Sequence, residues 1–161
     1  MPVIETVDGE KKDIKCISCA LSKGLIKAKD NLLYKGKYFE VRYDIEAPIP
    51  GLIVIASIRH IIGLADLTKS EQKEFIEITC KVRKILRDKA NIEYIRILHK
   101  ETTIISKVNP SHFHIAILPL DDWMENKSAK EILVHSMKNF KTKEKIDEVK
   151  RIAKIVKKEF N

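Results

Sequence analysis

Residues 111–119 read SHFHIAILP, an apolar run that carries imidazoles on alternate positions and breaks off at a proline. Side chains of a β-strand alternate between faces, so His112, His114 and Ala116 share one face while Phe113, Ile115 and Ile117 share the other. One face is therefore core. The other holds two polar rings that each need a partner, which points to a site rather than to packing.

Working outward, PIPGLIVIASIRH (48–60) gives a turn followed by a continuous apolar strand, Leu52 to Ala56, whose β-branched residues and shortness argue against a helix. Leu32–Tyr34 and Tyr38–Tyr43 read as a hairpin across Lys35-Gly36-Lys37. Thr68 and Glu71 have the spacing of a capping box, and Phe75, Ile78, Val82, Ile85 and Leu86 recur at steps of three and four, which predicts a helix over 69–89. Tyr94–His99 supplies a fourth strand and His112–Leu118 a fifth. The expectation is an α+β fold: about five antiparallel strands, with one long helix between the third and fourth. Beyond Pro119, SAKEILVHSMKNF and TKEKIDEVKRIAKIVKKEF read as helices, the second with Ile146, Val149, Ile152, Ala153, Val156 and Phe160 on one stripe. The expected organisation is a domain over 1–120 and a helical extension over 121–161, packed on the core or on a second subunit.

With 161 residues, 44% of them hydrophobic, the chain suits one globular domain. No apolar stretch reaches membrane-spanning length, and MPVIETVDGEKKDIK lacks the apolar core of a secretory signal, so the expected location is the cytoplasm, with no membrane partner. The net charge of +8 leaves phosphorylated ligands open, but Lys and Glu are interleaved and only 6% of residues are aromatic. Nucleic-acid binding is accordingly possible without being favoured. Cys80 reads as a small buried residue.

Cys16 and Cys19 form a C-x-x-C, too little for a disulfide framework, which leaves metal binding or redox work. Added to His60 and His112 they make two thiolates and two imidazoles, the set a tetrahedral structural zinc site uses, although the spacing is not that of a zinc finger. A thiol redox site lacks the strand-to-helix context of such motifs.

The order C-I-S-C (16–19), F-E-V-R-Y-D-I-E-A-P-I-P-G-L-I-V-I-A-S-I-R-H (39–60) and H-F-H-I-A-I-L-P (112–119) resembles the histidine triad (HIT) superfamily over about residues 14–120. That superfamily includes the diadenosine polyphosphate hydrolases and galactose-1-phosphate uridylyltransferase. The resemblance implies a nucleotide hydrolase or nucleotidyl transferase, commonly a homodimer, acting on a nucleotide or dinucleotide polyphosphate. It places the nucleophile on His114 and a structural zinc on Cys16, Cys19, His60 and His112. It gives Asp44 to the ribose hydroxyls, Ile45 to the base, and Asn109 to a phosphate in the place of a Ser or Thr.

The chain also departs from the pattern. Ala116 stands where the third histidine would be and offers no hydrogen-bond donor, and Lys107-Val108-Asn109-Pro110 replaces the usual Gly-Gln-x-Val. Glu101 stands where an Asn or Gln is common, and no role follows for it. The alternative reading is a non-catalytic nucleotide- or RNA-binding module on the same scaffold.

Overall fold

The computed structural model describes residues 3–101 and 111–161. In chain order its elements are β1 (Val3–Glu5), β2 (Lys11–Asp13), α1 (Ile17–Ser22), β3 (Leu32–Lys35), β4 (Phe39–Tyr43), β5 (Ile53–Ser57), α2 (Lys69–Ala90), β6 (Ile95–Leu98), β7 (His114–Pro119), α3 (Ala129–Asn139) and α4 (Lys143–Phe160). Five strands form an antiparallel sheet in the order β3-β4-β5-β7-β6, with α2 between β5 and β6 in the chain. The expected α+β architecture and its C-terminal helices are present. A separate two-stranded hairpin, β1-β2, and the short α1 add to it.

Alternation along the strands sorts the sheet's two faces. Phe39, Val41, Tyr43, Ile53, Ile55, Ile115 and Ile117 meet Phe75, Ile78, Val82, Ile85 and Leu86 of α2 and Val149, Ile152, Ala153 and Val156 of α4 in one core. The apolar stripe of α4 is thus taken up within the chain. On the opposite face lie Glu40, Arg42, Val54, Ala56, His114 and Ala116, roofed by α1 and by Leu133 of α3.

Helix α2 starts at a capping box: Thr68 Oγ1 accepts from the N–H of Glu71, and Glu71 Oε2 accepts from the N–H of Thr68 at 2.8 Å. It ends at Asn91, whose φ of 55° is the left-handed cap a short polar side chain tolerates. Cys80 is exposed on this helix, contrary to the expectation that it is buried. It lies four residues after the exposed Ile76, off the buried stripe.

Candidate functional site

Antiparallel pairing of β5 with β7 sets Ala56 opposite His114, so the chain leaving β5 runs beside the chain entering β7. The N–H of Ser57 donates to the carbonyl of Phe113 and the N–H of Phe113 to that of Ile61, which brings His60 and His112 together. Cys16 caps α1 and accepts from the N–H of Cys19, so the first helical turn aligns both sulfurs. The ligand atoms of Cys16, Cys19, His60 and His112 all lie within 4.8 Å of one another.

The spacing within this cluster tests its fit to a metal. Cys16 Sγ is 3.7 Å from His60 Nδ1 and 3.4 Å from His112 Nδ1, Cys19 Sγ is 3.3 and 3.4 Å from the same atoms, and the two Nδ1 atoms are 3.1 Å apart. Zn–N and Zn–S bonds of about 2.0–2.3 Å give tetrahedral edges of roughly 3.3–3.8 Å, so the donor set fits zinc. His112 Nε2 lies 2.7 Å from the carbonyl of Ser57, to which its N–H donates, leaving the Nδ1 lone pair toward the sulfurs. Burial, with His60 and His114 near, pushes His112 below its ordinary pKa despite the Ser57 carbonyl, favouring the neutral ring a metal requires. Burial and the neighbouring Cys16 raise the Cys19 thiol to about 11, so without a cation Cys19 holds its proton.

His114 lines a cavity of about 220 Å³ on the roofed face of the sheet. Its Nδ1 is 2.7 Å from the carbonyl of His112, and that bond places the neutral ring's lone pair on Nε2, which has no partner among the described residues. The carbonyl of His114 accepts from Nδ1 of His99 at 2.9 Å, while His99 Nε2 donates to Glu101 at 2.9 Å. Burial opposes charge on His99, but Glu101 and that carbonyl outweigh it and raise its pKa. Glu101, unassigned by the sequence, also accepts from the N–H of Leu64 at 2.7 Å and so joins β6 to the segment after His60.

In the same cavity, Asp44 Oδ1 accepts from the N–H groups of Glu46 and Ala47 at 2.9 and 2.7 Å, which among the described residues leaves Oδ2 for another donor. Burial raises its pKa, opposed by those N–H groups and by His114. Ile45 is 4% exposed and lines the same space. The sequence reading missed Arg42, Glu40 and Asn31, which also line it and form one buried hydrogen-bonded set. Their signal was the pair of charges on alternate positions of an otherwise apolar strand, Phe39–Tyr43. Asn109 lies outside the described residues.

Comparison with known proteins gives a consistent result. The family model described as HIT domain matches residues 26–122. A zinc-bound histidine triad family protein from Mycobacterium smegmatis superposes with a TM-score of 0.59 at 14% identity, covering 88% of this chain and 92% of that one. A hypothetical histidine triad nucleotide-binding protein from Sulfolobus tokodaii does so at 0.59 and 13%, covering 90% and 91%. The NitFhit protein of C. elegans does so at 0.51 and 19%, covering 74% of this chain, which spans 27% of that protein's length. No curated protein matches the sequence.

Proposed function

Because the chain belongs to the histidine triad family, we propose that it is a nucleotide hydrolase or nucleotidyl transferase that works through a covalent nucleotidyl-histidine on His114. The observation that carries this reading is the bond from His114 Nδ1–H to the carbonyl of His112, because it leaves Nε2 as an oriented lone pair on the wall of a cavity. In the first step that lone pair attacks the α-phosphorus, an N–P bond forms, and the bond to the leaving oxygen or nitrogen breaks with its electron pair. In the second, water or phosphate attacks the same phosphorus and the N–P electrons return to the ring. One difficult displacement becomes two easier ones.

Asp44, through Oδ2, accepts from the ribose hydroxyls, and Ile45 lies against the base. Asn109 contacts a phosphate. Cys16, Cys19, His60 and His112 would hold zinc, which bound by four protein ligands would supply rigidity to the strand rather than Lewis acidity. Dinucleotide polyphosphates, the diadenosine compounds among them, and nucleoside phosphoramidates are the substrate classes. The active unit is a homodimer.

A rapid quench with an α-labelled dinucleotide polyphosphate is expected to trap an acid-labile, base-stable adduct on His114. His114→Ala should abolish it while zinc content and nucleotide binding persist. Wild-type cleavage by that variant rules the mechanism out. Because Ala116 brings no donor to the cavity, the alternative of a non-catalytic nucleotide- or RNA-binding module stays defined: nucleotide binding with neither adduct nor product selects it.

A further inference from the structure

The cavity that holds His114 and Asp44 also contains a charge pair that the transfer chemistry does not use. Arg42 Nε and Nη2 donate to Glu40 Oε2 at 3.1 and 2.9 Å, and Nη1 donates to Asn31 Oδ1 at 2.6 Å. Asn31 is fully buried, and the side chains of Glu40 and Arg42 are 3% and 11% exposed. Glu40 Oε2 takes a further bond from Ser22 Oγ at 2.9 Å, Lys35 Nζ lies 3.2 Å from Oε1, and Asn31 Nδ2 donates to the carbonyl of Tyr43 at 3.3 Å. The guanidinium is therefore fixed from two sides.

A buried ion pair of this kind is commonly replaceable by apolar residues without loss of stability, so stability alone does not account for it. A guanidinium has five N–H groups, of which three are engaged here. Among the described residues two are left without a partner, one on each terminal nitrogen, on a side chain that lines the cavity. Strand pairing places Arg42 opposite Val54 and Val54 opposite Ala116, so Arg42 lies two strands across and two residues along from His114, about 12 Å away between backbones. That span suits a ribose and a purine between a phosphate at His114 and a base edge at Arg42.

We propose that Arg42, held by Glu40 and Asn31, reads the base and selects guanine over adenine. This rests on the assignment of the cavity to a nucleotide. Guanine presents O6 and N7, two adjacent acceptors that match two guanidinium N–H groups. Adenine presents N7 beside an amino donor, which faces Arg42 donor to donor and leaves a buried N–H unpaired. Arg42 is thus a specificity residue, and Glu40 and Asn31 are positioning residues.

Calorimetric titration of the full chain with GMP, AMP, UMP and CMP tests this. The expected result is GMP binding roughly tenfold or more tighter than AMP. Arg42→Met should weaken GMP to the level of AMP while leaving AMP unchanged. Since that variant takes from the buried Glu40 its buried cationic partner and leaves it only the half-exposed Lys35 and Ser22, the double variant Glu40→Leu/Arg42→Met, which removes both charges, is the companion: it is expected to fold and to bind the two purines equally. Equal purine affinities in the wild type, a preference for AMP or a pyrimidine, or a GMP preference that survives in the folded double variant overturns the proposal and leaves the nucleotide reading standing. Binding of no nucleotide overturns both.

Discussion

The ring of His114 and the backbone of His112 are joined by a 2.7 Å hydrogen bond, so the residue whose Nε2 has no partner among the described residues is oriented by the residue that belongs to the metal cluster. Whatever fixes His112 also fixes the direction of His114. The carbonyl of His114 is held in turn by His99, so the strand start is tied at both of its polar residues.

The metal cluster predicts about one zinc per chain in purified protein. Cys19→Ser or His60→Ala should lose the metal and lower the melting temperature by on the order of 5 °C or more, since each kcal/mol shifts a domain of this size by roughly 2–4 °C. The fold should survive, because the core between the sheet, α2 and α4 does not include the cluster. Elemental analysis beside calorimetry checks it, and unchanged zinc content in both variants refutes the ligand set.

Much of this was legible because alternation and helical periodicity are local signals. The strand 52–56 declared itself by a short continuous apolar run rich in β-branched residues, the hairpin before it by its Lys-Gly-Lys turn, the 111–119 run by polar and apolar side chains on alternate positions, and α2 by its capping box. The β1-β2 hairpin did not, since VIE and KKD are three-residue strands with no apolar pattern. Cys80 was misplaced because small thiols are usually buried, although its spacing from Ile76 already put it outside the 75-78-82-85 stripe. In the site, His112 and His114 could be read from one strand. The alternation of Glu40 and Arg42 in Phe39–Tyr43 was legible as a signal, but that these residues and His99 face the neighbourhood of His114 was not, because that depends on strand order, which no local pattern carries.

Arg59 and Glu71 predict an acid transition. Arg59 Nε and Nη2 meet Glu71 at 2.6 and 2.9 Å, and with Thr68 they hold its carboxyl down at about 2 against the opposing effect of burial. A depressed carboxylate stabilises the fold above its ordinary pKa of about 4.5 and loses that contribution as pH falls toward about 2. Glu71→Gln should cost roughly 1–2 kcal/mol at neutral pH, the lower part of the range for charge-assisted bonds because half of Arg59 is in solvent. It should also flatten the melting-temperature profile between pH 4.5 and 2. A variant whose profile parallels the wild type contradicts the assignment.

The homodimer is expected along the outer edge of β6, the last strand of the sheet among the described residues. The stripe of α4 is not available, for Val149, Ile152, Ala153 and Val156 are all buried within the chain. The edge strand, by contrast, begins beside Tyr94 and carries Ile97, which are 72% and 53% exposed. Light scattering should return twice the 18.6 kDa chain mass, and Ile97→Lys should shift it toward monomer. A wild type that is monomeric at micromolar concentrations ends this reading.

Restoring an imidazole at position 116 is the sharpest test of how the cavity handles the leaving group. Ala116 lines the cavity on the same face as His114, opposite Val54 on one side and Leu98 on the other, so a histidine there projects beside the attacking ring. A second imidazole can donate a proton to a departing atom, an effect typically worth 10²–10⁴-fold when the atom leaves poorly without it. The amine of a nucleoside phosphoramidate needs that proton, whereas the phosphate of a dinucleotide polyphosphate departs as a stabilised anion. Ala116→His should therefore raise turnover of phosphoramidates by about tenfold or more, the lower end applying because a larger side chain must displace neighbours at a cost of about 1–3 kcal/mol. Polyphosphate cleavage should change little. The double variant Ala116→His/His114→Ala should be inactive on both, since the new ring replaces the acid and not the nucleophile. Equal gains on the two substrate classes would place the added imidazole in a different role, and a gain that persists without His114 would remove the in-line attack by His114 from the account.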